Sequence, residues 1–313
     1  MAGKKILVIN PGSTSTKVAM YEENRQLWLE SVNNSREELK DIPHPFEQFE
    51  LRKKVVLNCM EKHGESLKGI SAVVSRGGCL PPVRAGAYEI NDLMVETLRD
   101  HPVDQHAANV GSAVALDLAR SAGVKAYIYD ALTVDEMLPV TTITGLKGVR
   151  RPARGHNLNT RAAALKVCRE KEISYSEQNI IVVHLGGGIT VNLHSGGKII
   201  DVIMDEEGSF SPERSGGIPN RALISMCFDR GYNRSEVNRT LERSGGMVSW
   251  FGTSDMRKVQ EMIDAGNEEA ALVFEAMALN TAKNIAKIAP TVNGKIDFII
   301  LTGGLFTQFY LIY

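Results

Sequence analysis

The chain has 313 residues, enough at about 150 residues per domain for two domains with substantial cores, which excludes a single small module. Hydrophobic residues make up 43% and charged residues 23%, ordinary values for a globular protein and unlike a disordered or fibrous one. Lys plus Arg number 36 against 37 Asp plus Glu, and the formal net charge of -1 supplies no global attraction to nucleic acid or an anionic membrane.

The cysteines, Cys59, Cys79, Cys168 and Cys227, are widely spaced, with no CxxC pair for zinc or redox chemistry and no dense disulfide framework. A reducing, cytoplasmic setting fits that usage. The apolar run Ile6 to Ile9 is too short for a signal-peptide core, and no stretch approaches the roughly 20 residues of a membrane helix.

In chain order, Ile6 to Ile9 reads as a buried strand that delivers the turn Asn10-Pro11-Gly12, and Lys17 to Glu22 alternates as a returning hairpin strand. A third strand is expected near Gln26 to Val32, then a helix near Phe46 to His63 and a strand from Ile70 to Ser75. Helices near Asp92 to Asp100 and His106 to Ala122, a C-cap at Gly123 and a strand from Val124 to Tyr129 complete a β-β-β-α-β-α-β order.

The pattern then restarts. Ile180 to Val183 runs into His184-Leu185-Gly186-Gly187-Gly188, strands follow near 188–194 and 197–203, and helices are expected near 219–230, 234–243 and 255–289. Phe298 to Leu301 enters Thr302-Gly303-Gly304. Sliding Ile6 onto Ile180 also places Asn10 on His184 and Gly12 on Gly186, a weak internal duplication. The expected division is 1–150 and 151–313, and the second copy would be cut short, lacking its last helix and strand.

Backbone N–H groups in a loop such as Asn10 to Thr16 can cradle an anion, although a plain hairpin turn is the favoured reading of that segment taken alone. Its recurrence at His184 to Gly188 favours a phosphate cradle of two-hairpin kind, since neither a Walker A sequence nor GxGxxG occurs. Arg76 follows a buried strand at the ligand edge of an α/β sheet and suits a bidentate grip on carboxylate or phosphate; Arg214 lies in a second glycine-rich loop. Either arginine taken alone reads more readily as a surface side chain. Asp130 ends a strand, where an Asx turn is the plain alternative, and His156 precedes a helix starting near Asn157. His101 and His106 are wrongly spaced for a two-histidine zinc face; we read His106 as a substrate-cleft candidate and His101 as structural. Asp255 and Arg257 follow Ser254 at a helix start, a natural capping arrangement, and the apolar positions of Leu272 to Ile288 read as core.

The ordered segments Asn10-Pro11-Gly12-Ser13-Thr14-Ser15-Thr16-Lys17, Ser75-Arg76-Gly77-Gly78, Pro152-Ala153-Arg154-Gly155-His156-Asn157, His184-Leu185-Gly186-Gly187-Gly188, Glu213-Arg214-Ser215-Gly216-Gly217 and Leu301-Thr302-Gly303-Gly304 resemble the butyrate kinase branch of the acetate kinase family. The resemblance implies an α/β fold of two duplicated actin-like ATPase (ribonuclease H-like) domains around a nucleotide cleft, the second incomplete here. It implies transfer of the ATP γ-phosphoryl group to butanoate, with acetate or propionate as the nearest alternatives and an inactive nucleotide-binding remnant as the alternative from another class. By the same resemblance Arg76, Asp130, His156 and Arg214 are catalytic, Arg76 and His106 meet the acid, and Asn10 and Asp130 lie at Mg²⁺. Asn10, Gly12, Ser13, Thr14, Lys17, His184, Gly186, Gly187, Gly188, Asp255, Arg257, Gly303 and Gly304 are then expected to contact ATP. A cytoplasmic setting is expected, with a homodimer or higher homo-oligomer in the intact family member and no nucleic-acid or membrane partner. The family's continuation beyond the Thr-Gly-Gly turn, with a metal-side glutamate, has no match in Phe306 to Tyr313.

Overall fold

The structure, a computed structural model, describes residues 3–12, 15–33, 42 and 44–305, and its contacts divide the chain into two compact units, Met1–Asp135 and Glu136–Tyr313. In the first unit, β1 (Lys5–Pro11), β2 (Ser15–Glu22) and β3 (Arg25–Asn33) form an antiparallel meander. Helix α1 (Phe49–Lys62) returns the chain to β4 (Ile70–Arg76), which pairs parallel with β1, and β6 (Lys125–Tyr129) pairs parallel with β4. A short strand β5 (Ala87–Glu89), not signalled by the sequence, closes the edge, giving the order β3-β2-β1-β4-β6-β5.

Helices α2 (Asp92–Asp100) and α3 (Asn109–Ala122) lie between β5 and β6. The Asn91 side chain caps α2 by accepting the Met94 N–H, and Gly123 ends α3 in the left-handed conformation at φ 69, as its position suggested. Helix α3 begins three residues later than the apolar pattern predicts, because the His106 imidazole Nδ1 accepts the Ala108 N–H at 3.0 Å and turns the chain ahead of Asn109. Leu7 and Ile9 of β1, Val73 of β4, and Val110, Val114 and Leu118 of α3 share one buried core.

The second unit repeats the scheme. After α4 (Asn157–Glu170), the strands β7 (Ile180–Leu185), β8 (Ile189–Ser195) and β9 (Lys198–Ile203) form a meander. A helical excursion of α5 (Asn220–Phe228), α6 (Arg234–Glu242), α7 (Gly246–Phe251), α8 (Met256–Asp264) and α9 (Glu268–Ile288) leads to β10 (Phe298–Thr302). β10 pairs parallel with β7, as β4 does with β1, so the sheet β9-β8-β7-β10 repeats β3-β2-β1-β4 and the duplication is one of topology. Strand β7 is buried on both faces: Ile181, Val183 and Leu185 join the core that includes Met277 of α9, while Ile180 and Val182 pack with Ala164 and Cys168 of α4. The helix expected over 255–289 is two helices. Gly266 at φ 86 breaks the run, and Asn267 starts α9 by accepting the Ala270 N–H.

Candidate functional site

Because β1, β4 and β6 run parallel, their carboxyl ends share one sheet edge, and the sequence places Asn10, Arg76 and Asp130 there. That edge is where open α/β sheets carry ligands. Asn10 stands opposite the exposed Lys17 in the β1–β2 ladder, and beyond them Gly12 N–H donates to Ser15 O at 2.7 Å. Ser13 and Thr14 lie outside the described residues.

Beneath this hairpin sits a residue that sequence reading missed. Arg52 of α1, fully buried, donates from Nη2 to Gly12 O at 2.9 Å, and from Nη1 to Ser15 O at 2.8 Å and Thr16 Oγ1 at 2.6 Å. Gln48, one turn earlier, accepts from the same guanidinium at 3.2 and 2.9 Å. Burial pulls the pKa of Arg52 below its usual value. Arg52 shares the inward stripe of α1 with Val55, Val56 and Cys59, and a cation on an apolar stripe is the signal that would have found it.

Arg76 is the last residue of β4, opposite Tyr129, and burial lowers its pKa. The two glycines that follow are required by close packing: a Cβ on Gly77 would lie 2.7 Å from Ala131 Cα, and one on Gly78 would lie 2.6 Å from Asn109 Oδ1. The same Asn109 oxygen accepts the Cys79 N–H at 2.9 Å, tying the loop after Arg76 to α3. Asp130, 2% exposed, adopts φ 42; its Oδ1 accepts the Gly86 N–H at 2.9 Å, and its own N–H donates to Gly86 O at 3.1 Å. A non-glycine residue in that region is strained, and Asp tolerates it better than most. His106 is half-buried at the start of α3 with Nδ1 engaged in the cap.

In the second unit, His156 and His184 come together although the sequence separates them. Their rings stack with centroids 3.8 Å apart and planes 9° apart. His156 Nδ1 lies 3.1 Å from Thr190 Oγ1, and His184 Nδ1 lies 2.7 Å from Asn159 Oδ1. The first turn of α4 is held on β8 by buried Asn192, whose amide donates to Asn157 Oδ1 at 3.0 Å and Thr160 Oγ1 at 3.1 Å. Two residues on, His194 is fully buried with Nδ1 2.7 Å from the Tyr175 hydroxyl; burial, helped by the Arg161 charge, pushes its pKa down to about 3.

The Gly186-Gly187-Gly188 turn closes on Gly186 N–H to Gly188 O at 3.2 Å and packs against the loop carrying Arg214. A Cβ on Gly187 would sit 3.1 Å from Glu213 Oε2, and one on Gly188 would sit 3.2 Å from Asp205 Oδ2 and 3.8 Å from Arg214 Nε. The Arg214 guanidinium pairs through Nε with Asp205 at 3.4 Å and through Nη1 with Glu242 at 3.8 Å. Gly303, at φ 102, abuts the end of β7: a Cβ there would lie 2.3 Å from Leu185 O, which only glycine avoids. Gly304 is exposed. Asp255 caps α8 by accepting the Arg257 N–H at 3.0 Å and pairs with the Arg257 guanidinium at 2.9 and 2.7 Å, which lowers its pKa to about 2.

Among the described residues no cluster of three or more His, Cys, Asp or Glu is arranged to hold a metal, and no helix is long and apolar enough to cross a membrane.

A family model, the Acetokinase family, matches residues 148–308. The fold is similar to acetate kinase from Porphyromonas gingivalis, with TM-score 0.78 and 20% identity over 96% of this chain and 83% of that one. It is similar to a propionate kinase from Francisella tularensis subsp. tularensis SCHU S4, with TM-score 0.77 and 19% identity over 96% and 84%. Acetate kinase from Entamoeba histolytica follows at TM-score 0.73 and 17% identity over 96% and 82%. These likenesses show the actin-like ATPase fold that the duplicated strand order implies.

Proposed function

The chain belongs to the acetokinase family, whose members are ATP-dependent carboxylate phosphotransferases, and from that premise we propose that it phosphorylates a short fatty acid, butanoate first among them. The observation that carries this reading is the second unit's assembly of a glycine turn, the Arg214 loop laced to it and the His156–His184 stack. The butyrate preference rests on the motif resemblance; the similar structures named acetate kinase and propionate kinase support a shorter acid equally.

The chemistry asks little of acid–base catalysis. A carboxylic acid with pKa near 4, like Asp or Glu, is already ionised at pH 7 and needs no general base. One of its oxygens bonds to the γ-phosphorus as the bond to the β,γ-bridging oxygen breaks, and the electron pair leaves on ADP. The barrier lies in bringing a carboxylate to a triphosphate, so fixed cations and donors in line geometry supply the catalysis. In this reading Arg76 grips the carboxylate beside His106, and Arg214 and His156 neutralise the transferring group. His184 and the glycines Gly186 to Gly188 line the phosphates, as do Asn10, Gly12, Ser13, Thr14 and Lys17. Asp255, Arg257, Gly303 and Gly304 serve the nucleotide. ATP is the donor.

Mg²⁺ keeps several waters and takes phosphate oxygens, so it needs only one or two protein oxygens. The Asp130 carboxylate stands at the same sheet edge as the Asn10 amide, and two such oxygen donors suit an ion of this kind. When bound it would neutralise phosphate charge. The sequence division at 150, a cytoplasmic setting and homo-oligomerisation remain part of the proposal; light scattering tests the last.

The deciding experiment measures acyl phosphate by hydroxylamine trapping with ATP, Mg²⁺ and acids of two to five carbons. Butanoyl phosphate formed with the highest kcat/KM is the expected result. Preference for acetate would replace the butyrate assignment, and nucleotide binding without transfer to any acid would overturn the kinase reading.

A further inference from the structure

We propose that Ser211 is a positioning residue that makes the glycine turn at Gly187 and the arginine at Arg214 a single rigid anion-holding part; the inference rests on the phosphotransferase reading above. Ser211 is fully buried, at 0% exposure, yet its polar atoms are engaged on both sides of the proposed phosphate site. Its hydroxyl donates to Gly187 O at 2.5 Å and accepts the Arg214 N–H at 3.2 Å. Its own N–H donates to Arg214 O at 3.0 Å, so the main chain of Arg214 is held at both its donor and its acceptor by one serine.

The consequence for the glycine turn follows from peptide geometry. In a planar trans peptide the C=O and N–H point in opposite directions. Drawing Gly187 C=O toward Ser211 therefore aims the Gly188 N–H away from the 211–215 loop, the orientation an anion bound at the turn would use. Glu213 N–H reinforces that direction with a longer bond to Gly187 O at 3.3 Å. A Cβ on Gly188 would lie 3.8 Å from Arg214 Nε, so one hydroxyl fixes the backbone of two adjoining segments, the glycine turn and the stem of the arginine.

The support behind Ser211 is stiff. Ser211 O accepts the Met247 N–H at 3.3 Å, Pro212 O accepts the Val248 N–H at 3.1 Å and Glu213 O accepts the Gly245 N–H at 3.2 Å, anchoring the loop on the start of α7. Gly246, at φ 56, permits this: a Cβ there would fall 1.6 Å from Ser211 O. A serine is suited to the junction because a hydroxyl donates one bond and accepts another at once; alanine keeps the volume and loses both.

The test is a double-mutant cycle on the full chain with Ser211→Ala, Arg214→Ala and the pair, scored by kcat and KM for ATP and the acid, with melting curves to verify folding. Ser211→Ala is expected to lower kcat 10- to 100-fold with KM for the acid within twofold, and to lower it less than threefold further once Arg214 is alanine. Independent losses that multiply in the double variant would overturn the proposal. Amide hydrogen exchange of the peptides covering 186–189 and 211–216 supplies a readout that needs no turnover: both should exchange at least tenfold faster in Ser211→Ala. Unchanged protection sinks the linkage. Failure of the wild type to phosphorylate any acid overturns the kinase reading and with it the catalytic role of Ser211, while the exchange data still decide whether the linkage exists.

Discussion

Replacing Arg52 tests whether the first hairpin is held from beneath. Arg52→Ala removes charge-assisted bonds to Gly12 O, Ser15 O and Thr16 Oγ1, and leaves those acceptors and the Gln48 amide oxygen without this donor. A bond to a charged group contributes about 1.5–3 kcal/mol, and burial of the guanidinium offsets part of the total, as the lowered pKa of Arg52 indicates. Leaving a buried acceptor unpaired costs about 1–3 kcal/mol, and with the relief of guanidinium burial set against several such acceptors we expect about 3 kcal/mol for unfolding of the first unit. Arg52→Lys keeps a charge but a single ammonium cannot span Gly12 O and Ser15 O as a planar fork does, so about half the loss should remain. The two tryptophans provide the assay, because Trp28 lies in β3 and Trp250 in α7. Trp250 is 57% exposed and replaceable by Phe, leaving Trp28, stacked on His63 at 4.5 Å, to report the first unit in urea titrations. ATP affinity should fall at least tenfold in the alanine variant. A stability change under about 0.5 kcal/mol, the usual range of a surface substitution, would show that the clamp is incidental.

Arg76→Ala should raise KM for the acid and cost about 2–4 kcal/mol in kcat/KM, measured by steady-state kinetics; near wild-type values would remove it from the site. Chain-length preference follows methylene burial at about 0.8 kcal/mol each, so butanoate should exceed acetate by about 1.6 kcal/mol in kcat/KM, and an inverted order refutes the butyrate assignment. Gly303→Ala forces a Cβ to 2.3 Å from Leu185 O at φ 102 and should lower the melting temperature markedly, whereas Gly294→Ala, also at positive φ but with nothing within 4 Å, should be milder. His194 binds its proton less readily folded, at about 3, than unfolded, at about 6.5. Its contribution is therefore complete above 6.5 and is lost as pH falls toward 3, at about 1.4 kcal/mol per unit. Urea titrations from pH 7 to 4 should show a flatter profile for His194→Asn, and parallel profiles would contradict the shift.

Much of the architecture was legible along the chain because it is encoded locally. β-branched runs ending in glycine turns announce strands β1, β7 and β10, and Gly123 announces the end of α3, since the backbone there must turn left-handed. The repeat of β-β-β-α-β could be read before any contact was known, because period and turn chemistry act over a few residues. The split between α8 and α9 was less legible: Gly266 and Asn267 are a break and a cap, but apolar spacing continues across them. β5 has three residues, too few to carry a period, and exists through its pairing with β6.

The candidate site divides along the same line. Residues at strand ends, Asn10, Arg76 and His184 ahead of glycine turns and Asp130 after β6, stand out in sequence because a strand must stop where a ligand begins. The residues that orient them do not. Arg52 looks like one more charge on a helix, Asn192 like a polar interruption of β8 and Ser211 like a loop serine, until folding brings acceptors from distant segments to each. A hydrogen bond is decided by where two groups meet in space, over a few ångströms, whereas hydrophobic period and backbone φ are decided by neighbours in the chain; the sequence by itself therefore determined the strands, the turns and the repeat, and only the tertiary structure decided which buried polar side chain holds which loop.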